Sequence, residues 1–308
     1  MLRSALLAAS RSDACHTLVA NLPLTRQIVD RFVAGTTVDQ AITATAELTA
    51  DRYVTLDHLG EDTTDREQAE KTVSAYTELL DLLGRAGLTA RAEVSVKLTA
   101  IGGSLPVDGK KIALDNARRI CEAAKAAGTT VTLDMEDHTT TDQTLEIVRE
   151  LRADFGWVGA VLQAYLRRTE QDCRELAGPG SRIRLCKGAY TEPASVAFQR
   201  KSEVDSSYVR CLRILMNGAG YPMVASHDPR LLAIAEHLAL AANRGPADHE
   251  FQMLYGIRPA EQERIAAEGK RLRVYVPYGD QWYGYFMRRL AERPANLMFF
   301  LRSLTTTN

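Results

Sequence analysis

The run Tyr53-Val-Thr-Leu-Asp-His-Leu-Gly-Glu-Asp62 decides the fold. Its apolar, β-branched start reads as a short strand over 53–56. The residues behind the strand carry more information. In an open doubly wound sheet, the first strand turns into its helix through a G-x-G-x-x-G loop that receives phosphate. Here the strand runs instead into His58-Leu-Gly-Glu-Asp62. That leaves closure into a barrel as the arrangement for whatever parallel strands follow.

Working outward, β-rich runs recur at 92–97, 130–134, 159–163, 183–186, 223–226, 250–253 and 274–276. Amphipathic helical patterns separate them at 66–85, 111–127, 141–154, 169–177, 202–217, 229–243 and 259–268, and a last one spans about 281–301. Strand-helix alternation argues a parallel sheet, and eight units argue a closed (βα)8 barrel of the TIM type. Upstream, Leu24, Ile28, Val29, Phe32 and Val33 fall at helical spacing behind Pro23. A Gly35-Thr-Thr break follows, and Val38, Ala41 and Ile42 resume the pattern. The expected organisation is a helical arm over 1–45, then the barrel over 46–308, with its C-terminal helix lying across the mouth.

The chain has 308 residues, ample for one such barrel, and 45% of them are hydrophobic. Its formal net charge of -1 gives no electrostatic hold on nucleic acid. The five cysteines (15, 121, 173, 186 and 211) form no CxxC pair, and their odd number leaves at least one free thiol. A reducing compartment is the economical reading. No apolar run reaches the roughly 18 residues that a spanning helix needs. The start, Met1-Leu-Arg-Ser-Ala-Leu-Leu, is basic and weakly apolar like a transit peptide but too short for a secretory signal, and reads as an amphipathic helix. A cytoplasmic protein that meets a membrane only peripherally is expected.

Barrel active sites lie at the C-terminal ends of the strands. Those ends carry Glu61, Lys97, Asp134, Glu136, Gln163, Arg184, Lys187, Tyr190, Ser226, His227 and Tyr275, with the seventh strand the least polar. Cations at a barrel mouth need anions, which Asp134 and a bound phosphate or carboxylate can supply. Arg182 and Arg184 share one strand face, opposite Ile183 and Leu185. Either they meet a ligand or they form an internal ion-pair layer. On the last helix, Tyr285, Arg288, Arg289 and Glu292 stack on one side, while Met287 and Leu290 can pack inward. Two guanidinium forks beside a tyrosine suit a small planar anion, although a solvated charged face has the same composition. Asp134-Met-Glu-Asp137 does not read as a metal site, because Asp137 leaves the face shared by Asp134 and Glu136 and no paired histidine follows. His227 suits a backbone or cofactor contact. Lys97 or Lys187 as a Schiff-base lysine of an aldolase-like barrel stays open, as does a noncatalytic amino-acid-binding barrel.

The ordered set Leu56-Asp-His-Leu-Gly-Glu61, Ser95-Val-Lys97-Leu-Thr-Ala-Ile101, Asp134-Met-Glu136, Gln163-Ala-Tyr165, Arg184-Leu-Cys-Lys-Gly-Ala-Tyr190, Ser226-His227, Tyr275-Val-Pro-Tyr-Gly279 and Tyr285-Phe-Met-Arg-Arg-Leu-Ala-Glu292 resembles the proline dehydrogenase family along nearly the whole chain. The resemblance implies a distorted (βα)8 flavoenzyme that oxidises L-proline to Δ1-pyrroline-5-carboxylate, the first step of proline catabolism to glutamate, and passes electrons to membrane quinone. It implies that Lys97, Arg288 and Arg289 hold the proline carboxylate and that Tyr275 and Tyr285 pack around the ring. Asp134 would pair with Lys97 and help orient the substrate, and Arg184 would stabilise the reduced flavin. Met135, Gln163, Lys187, Gly188, Ala189, Ser226 and His227 match positions that contact FAD, and Tyr190 would wall the site. Glu61 would pair with Arg288 as a gate, with Glu292 steadying the guanidiniums. The chain is expected to lack the aldehyde dehydrogenase and DNA-binding domains of larger relatives. Tyr275 stands where hydroxyproline oxidases have a smaller residue, so proline is the expected substrate.

Overall fold

The computed structural model describes residues 29–292. Eight parallel strands, β1 (Tyr53–His58), β2 (Ala92–Val96), β3 (Val131–Leu133), β4 (Gly159–Gln163), β5 (Arg182–Cys186), β6 (Tyr221–Ala225), β7 (Glu250–Leu254) and β8 (Leu272–Tyr278), close in sequence order. The seam joins β8 to β1, with Thr55 beside Tyr275 and His58 beside Tyr278. The helices are α1 (Val38–Leu48), α2 (Arg66–Arg85), α3 (Gly109–Ala127), α4 (Thr141–Arg152), α5 (Thr169–Leu176), α6 (Lys201–Asn217), α7 (Pro229–Ala241), α8 (Pro259–Ala267) and α9 (Trp282–Glu292). The expected alternation holds, with ends shifted by a residue or two where strands run on under backbone pairing.

Local chemistry places the helices. Asp65 caps α2 by accepting from the Gln68 amide at 2.8 Å. Ala69, Val73, Tyr76, Leu80 and Leu83 then form the buried stripe of that helix. Outward-facing strand residues such as Val54, Leu56, Val94, Leu133, Leu162, Leu185 and Val276 meet such stripes in one continuous apolar shell. Thr37 caps α1, whose Ala41 and Leu48 are buried in the same shell.

Inside the barrel the strands carry charge. Glu93 of β2 accepts from Arg182 Nη2 of β5 at 2.6 Å, and Glu250 of β7 accepts from Arg273 Nε of β8 at 2.7 Å. The threonine hydroxyls of Thr55 and Thr130 also donate to Glu93, at 2.9 and 2.5 Å. Burial favours protonated Glu93, but Arg182 and Arg273 outweigh it and hold this carboxyl well below the usual range. For Arg182, therefore, the internal ion-pair layer is the correct reading. Charge of this kind replaces the apolar layers that commonly fill a barrel interior.

A second apolar cluster joins the 29–33 segment to α9. Val29, Phe32 and Val33 pack with Leu59, Ile257 and the buried side of α9, Tyr283, Tyr285, Phe286 and Met287. Met287 thus packs inward as expected. The 29–35 segment is tied down by Ala34 N–H donating to Pro277 O at 2.9 Å and Gly279 N–H donating to Gly35 O at 3.0 Å. Most of the expected 1–45 arm, and the end of the last helical pattern beyond 292, lie outside the described residues.

Candidate active site

A cavity of about 610 Å³ opens at the C-terminal ends of the strands. Of the residues singled out from the sequence, Glu61, Lys97, Asp134, Met135, Gln163, Arg184, Lys187, Gly188, Ala189, Tyr190, Ser226, His227, Tyr275, Tyr285 and Arg289 all line it. Strand ends, βα loops and α9 therefore converge on one space. The side chains of Arg288 and Glu292 lie outside the described residues, and so does the expected pairing of Arg288 with Glu61.

Two buried acid–cation pairs line this space, and one differs from expectation. Lys97 does not pair with Asp134. Its ammonium donates to both carboxylate oxygens of Asp57, at 2.7 and 2.6 Å. Burial alone would lower the Lys97 pKa, but Asp57 and Asp134 outweigh it, so the net shift is upward and the ammonium stays protonated. Asp134 instead accepts from Arg184 Nη1 at 2.6 Å, from Ser95 Oγ at 2.8 Å and, on its other oxygen, from Tyr275 Oη at 2.7 Å. The reason is register. Asp57 is level with Ser95 across the β1–β2 ladder and reaches Lys97 from one side of β2, while Asp134, on the other side of β2, is held by Arg184, Ser95 and Tyr275.

Arg184 is the most constrained cation. Its Nε donates to Gln252 Oε1 at 2.6 Å, Nη1 also reaches Ser95 Oγ at 3.0 Å, and its guanidinium lies 5.1 Å from the Tyr275 ring centre. Nη2 is buried without an acceptor among the described residues. For Arg184, then, the ion-pair reading holds, with Nη2 left over for a ligand. Burial, followed by Asp134 and Asp57, raises the Tyr275 pKa well above the phenol value, so Tyr275 remains a donor to Asp134.

The 187–190 loop forms one wall. Lys187 pairs with Asp205 at 2.5 Å and Asp228 at 3.3 Å. Gly188 has φ +112°, and a Cβ there would stand 2.4 Å from the Tyr165 ring. The close ring approach that calls for glycine at this position is thus made by the protein's own ring. Tyr165 N–H also donates to Lys187 O at 2.9 Å, and its hydroxyl donates to Glu192 at 3.2 Å. On the neighbouring strand β4, Gln163 Nε2 donates to Glu136 O at 2.7 Å. His227 Nε2 accepts from Leu254 N–H at 2.9 Å, which puts its proton on Nδ1. The Cys186 thiol also lines the cavity, and burial pushes its pKa up to about 11, so it is no thiolate nucleophile at neutral pH.

Sequence reasoning misses Asp57 and Gln252. Asp57 lies inside one of the family-like motifs, but nothing in one dimension shows which carboxylate a lysine at the next strand end will reach. Gln252 lies on the strand that reads as least polar. Its signal is a lone amide flanked by Phe251 and Met253, which is the parity of an inward-facing residue. Glu136 has a rim position in the sequence and no evident role there. Its carboxylate accepts from Thr99 N–H at 3.1 Å and from the Thr99 hydroxyl at 2.5 Å, and burial pushes its pKa up to about 7.

A closed (βα)8 barrel with buried acid–cation pairs at the C-terminal ends of its strands defines an enzyme of the barrel class. A family model described as Proline dehydrogenase matches residues 41–302. Proline dehydrogenase of Deinococcus radiodurans is 41% identical over 280 residues, 90% of each chain. Proline dehydrogenase 1 of Bacillus subtilis (strain 168) is 38% identical over 281 residues, 91% of each chain. The solved structure of proline utilization A (PutA) from Bdellovibrio bacteriovorus, inactivated by N-propargylglycine, superposes with a TM-score of 0.79 at 28% identity. That match covers 86% of this chain and 32% of the PutA chain, so this chain spans about a third of that protein's length. The chain belongs to the proline dehydrogenase family, and is an oxidoreductase of the proline oxidation step.

Proposed function

We propose that the chain oxidises L-proline to Δ1-pyrroline-5-carboxylate with FAD as its resident electron acceptor, and that a quinone takes the electrons onward. The observation that carries the reading is Arg184. A buried guanidinium locked by Asp134, Ser95, Gln252 and Tyr275, with Nη2 lacking an acceptor among the described residues, suits a group that gains negative charge beside it. The residues fit a flavin in other respects too. The cavity has the size of a cofactor site, and the Gly188 backbone lets the 187–190 wall turn flat against Tyr165. Met135, Gln163, Lys187, Gly188, Ala189, Ser226 and His227 would hold the cofactor.

Bound FAD supplies the two-electron acceptor for hydride leaving the proline ring carbon beside nitrogen. The chain's own residues bind and orient. Lys97, kept cationic by Asp57, and Arg289 attract the proline carboxylate, with Arg288 assigned to the same task. Tyr275 and Tyr285 wall the ring. Tyr275 keeps its phenolic proton and donates it in a hydrogen bond to Asp134 Oδ2, which fixes that carboxylate in place. Glu61 would exclude water as a gate over the bound substrate. Among the described residues no helix is long and apolar enough to cross a membrane. The quinone, and a peripheral contact of a cytoplasmic protein with the inner membrane face, rest on family resemblance.

A Schiff-base mechanism needs a lysine of lowered pKa. Lys97 is held protonated by Asp57, which argues against Lys97 in that role. Purified protein should be yellow and carry FAD, anaerobic L-proline should bleach it, and a soluble quinone should restore the colour. Colourless protein that borohydride traps on a carbonyl substrate would replace this reading with the lyase one.

A further inference from the structure

Gln252 is the junction between two charged layers. From β7 its Oε1 accepts from Arg184 Nε at 2.6 Å, and its Nε2 donates to Glu250 Oε1, also at 2.6 Å. Glu250 in turn takes both Arg273 Nε at 2.7 Å and Arg273 Nη2 at 3.1 Å. Arg273 lies 3.7 Å from Glu93, the partner of Arg182. A continuous polar path therefore runs from the barrel's ionic interior to the cation of the site. Only one member of the path is a neutral side chain, and it is the one that touches Arg184.

Both ends of the Gln252 amide are committed. Glu250 is an acceptor and Arg184 is a donor, so the amide cannot flip without breaking both bonds. Gln252 is also 4% exposed, so its amide is committed to protein partners rather than to solvent. Holding Nε fixes the plane of the guanidinium, because Nε is the atom through which that plane pivots. Ser95 and Asp134 share Nη1, so without Gln252 the group retains only a one-sided tether and its stacking on Tyr275.

We propose that Gln252 is a positioning residue of the proline-oxidising site, holding the Arg184 guanidinium in the single orientation that stabilises charge arriving on the cofactor. Gln252 acts through Arg184 and transfers no proton. The inference rests on the proposed flavin reading, and its test separates the two. If wild-type protein carries no FAD or is not bleached by proline, the functional reading fails first.

With yellow, proline-reducible wild type in hand, the variant is Gln252→Met, which keeps length and volume and removes the amide. Flavin midpoint potential and the anaerobic rate of flavin reduction are measured beside proline Kd. The expected result is about tenfold slower reduction and a potential more negative by about 30 mV, the two-electron equivalent of a tenfold change. Proline Kd should move less than about threefold. The same substitution is then made in an Arg184→Lys background. If Gln252 acts through Arg184, its effect on the potential disappears there, because lysine has no Nε–H to hold. A full, additive effect in the Lys background overturns the proposal, and so does a wild-type potential in Gln252→Met. Should that variant not accumulate as folded holoenzyme, Gln252→Glu, which keeps an acceptor for Nε but charges the link to Glu250, goes through the same cycle: loss of its effect in the Lys background supports the proposal, and a full, additive effect overturns it.

Discussion

Replacing Asp57 by asparagine tests the electrostatic arrangement of the site. Both carboxylate oxygens of Asp57 meet Lys97, and the two side chains are 1% and 10% exposed. Asparagine fills the same space but leaves a buried ammonium without its counter-charge. Breaking one side of such a pair costs about 3–5 kcal/mol. Asp134 remains nearby as a second negative charge, so the lower end, about 3 kcal/mol, is expected. For a chain of this size that is a fall of roughly 5 °C in Tm. The distinctive consequence is for ligand binding. A carboxylate entering the cavity restores the missing charge, so saturating proline should raise the Tm of Asp57→Asn by more than it raises that of wild type. Thermal unfolding of both proteins as holoenzymes, with and without proline, gives both numbers. Equal Tm values without proline, or equal proline shifts, would refute the assignment of Asp57 as the resident partner of Lys97.

Three further outcomes are expected. Glu136 has a pKa of about 7 in the folded protein against an ordinary 4.5, so the folded state binds its proton more tightly than the unfolded chain does. Its contribution therefore destabilises progressively as pH rises from 4.5 to 7, by roughly 3 kcal/mol in all, and Glu136→Gln should gain stability over wild type above pH 7 and lose that advantage near pH 4.5 in denaturant titrations. Gly188→Ala drives a Cβ into the Tyr165 ring from a left-handed backbone, so it should cost about 1–3 kcal/mol or more and reduce the FAD retained through gel filtration. Tyr275→Ser opens the ring wall and deletes the donor to Asp134, so proline kcat/KM should fall while the ratio of 4-hydroxyproline to proline kcat/KM rises about tenfold or more, as steady-state assays on both substrates would show.

The fold is legible in the sequence because its signals are local. The pattern at 66–85 coincides with α2 at both ends, since Asp65 caps the start and the apolar stripe runs unbroken to Leu83. The sequence marks β8 only over 274–276, yet the strand extends over Leu272–Tyr278, because pairing with β1 recruits residues that no periodicity marks. The rim is legible for the same reason: charges at strand ends announce themselves one strand at a time. Partnership is not. Whether Lys97 meets Asp57 or Asp134 depends on how far each strand is sheared against the next, and that emerges only once the barrel is closed. Gln252 escapes notice because its function lies in two bonds, one to a residue 68 positions away and one to a residue two positions away, and only the nearer could be guessed.

The seam between β8 and β1 also sets an order of events on the ribosome. Asp57 enters from the first strand, Tyr275 from the last, and Tyr285 and Arg289 from the helix after it. A nascent chain that has emerged only as far as β7 has one wall of its pocket missing and carries Arg184 without the Tyr275 ring it packs against. The pocket proposed for FAD is therefore complete only once the last strand and α9 have been made. If FAD is the cofactor, limiting flavin during growth should leave a closed apoprotein rather than a truncated folding intermediate, since backbone ladders and apolar packing zip the seam.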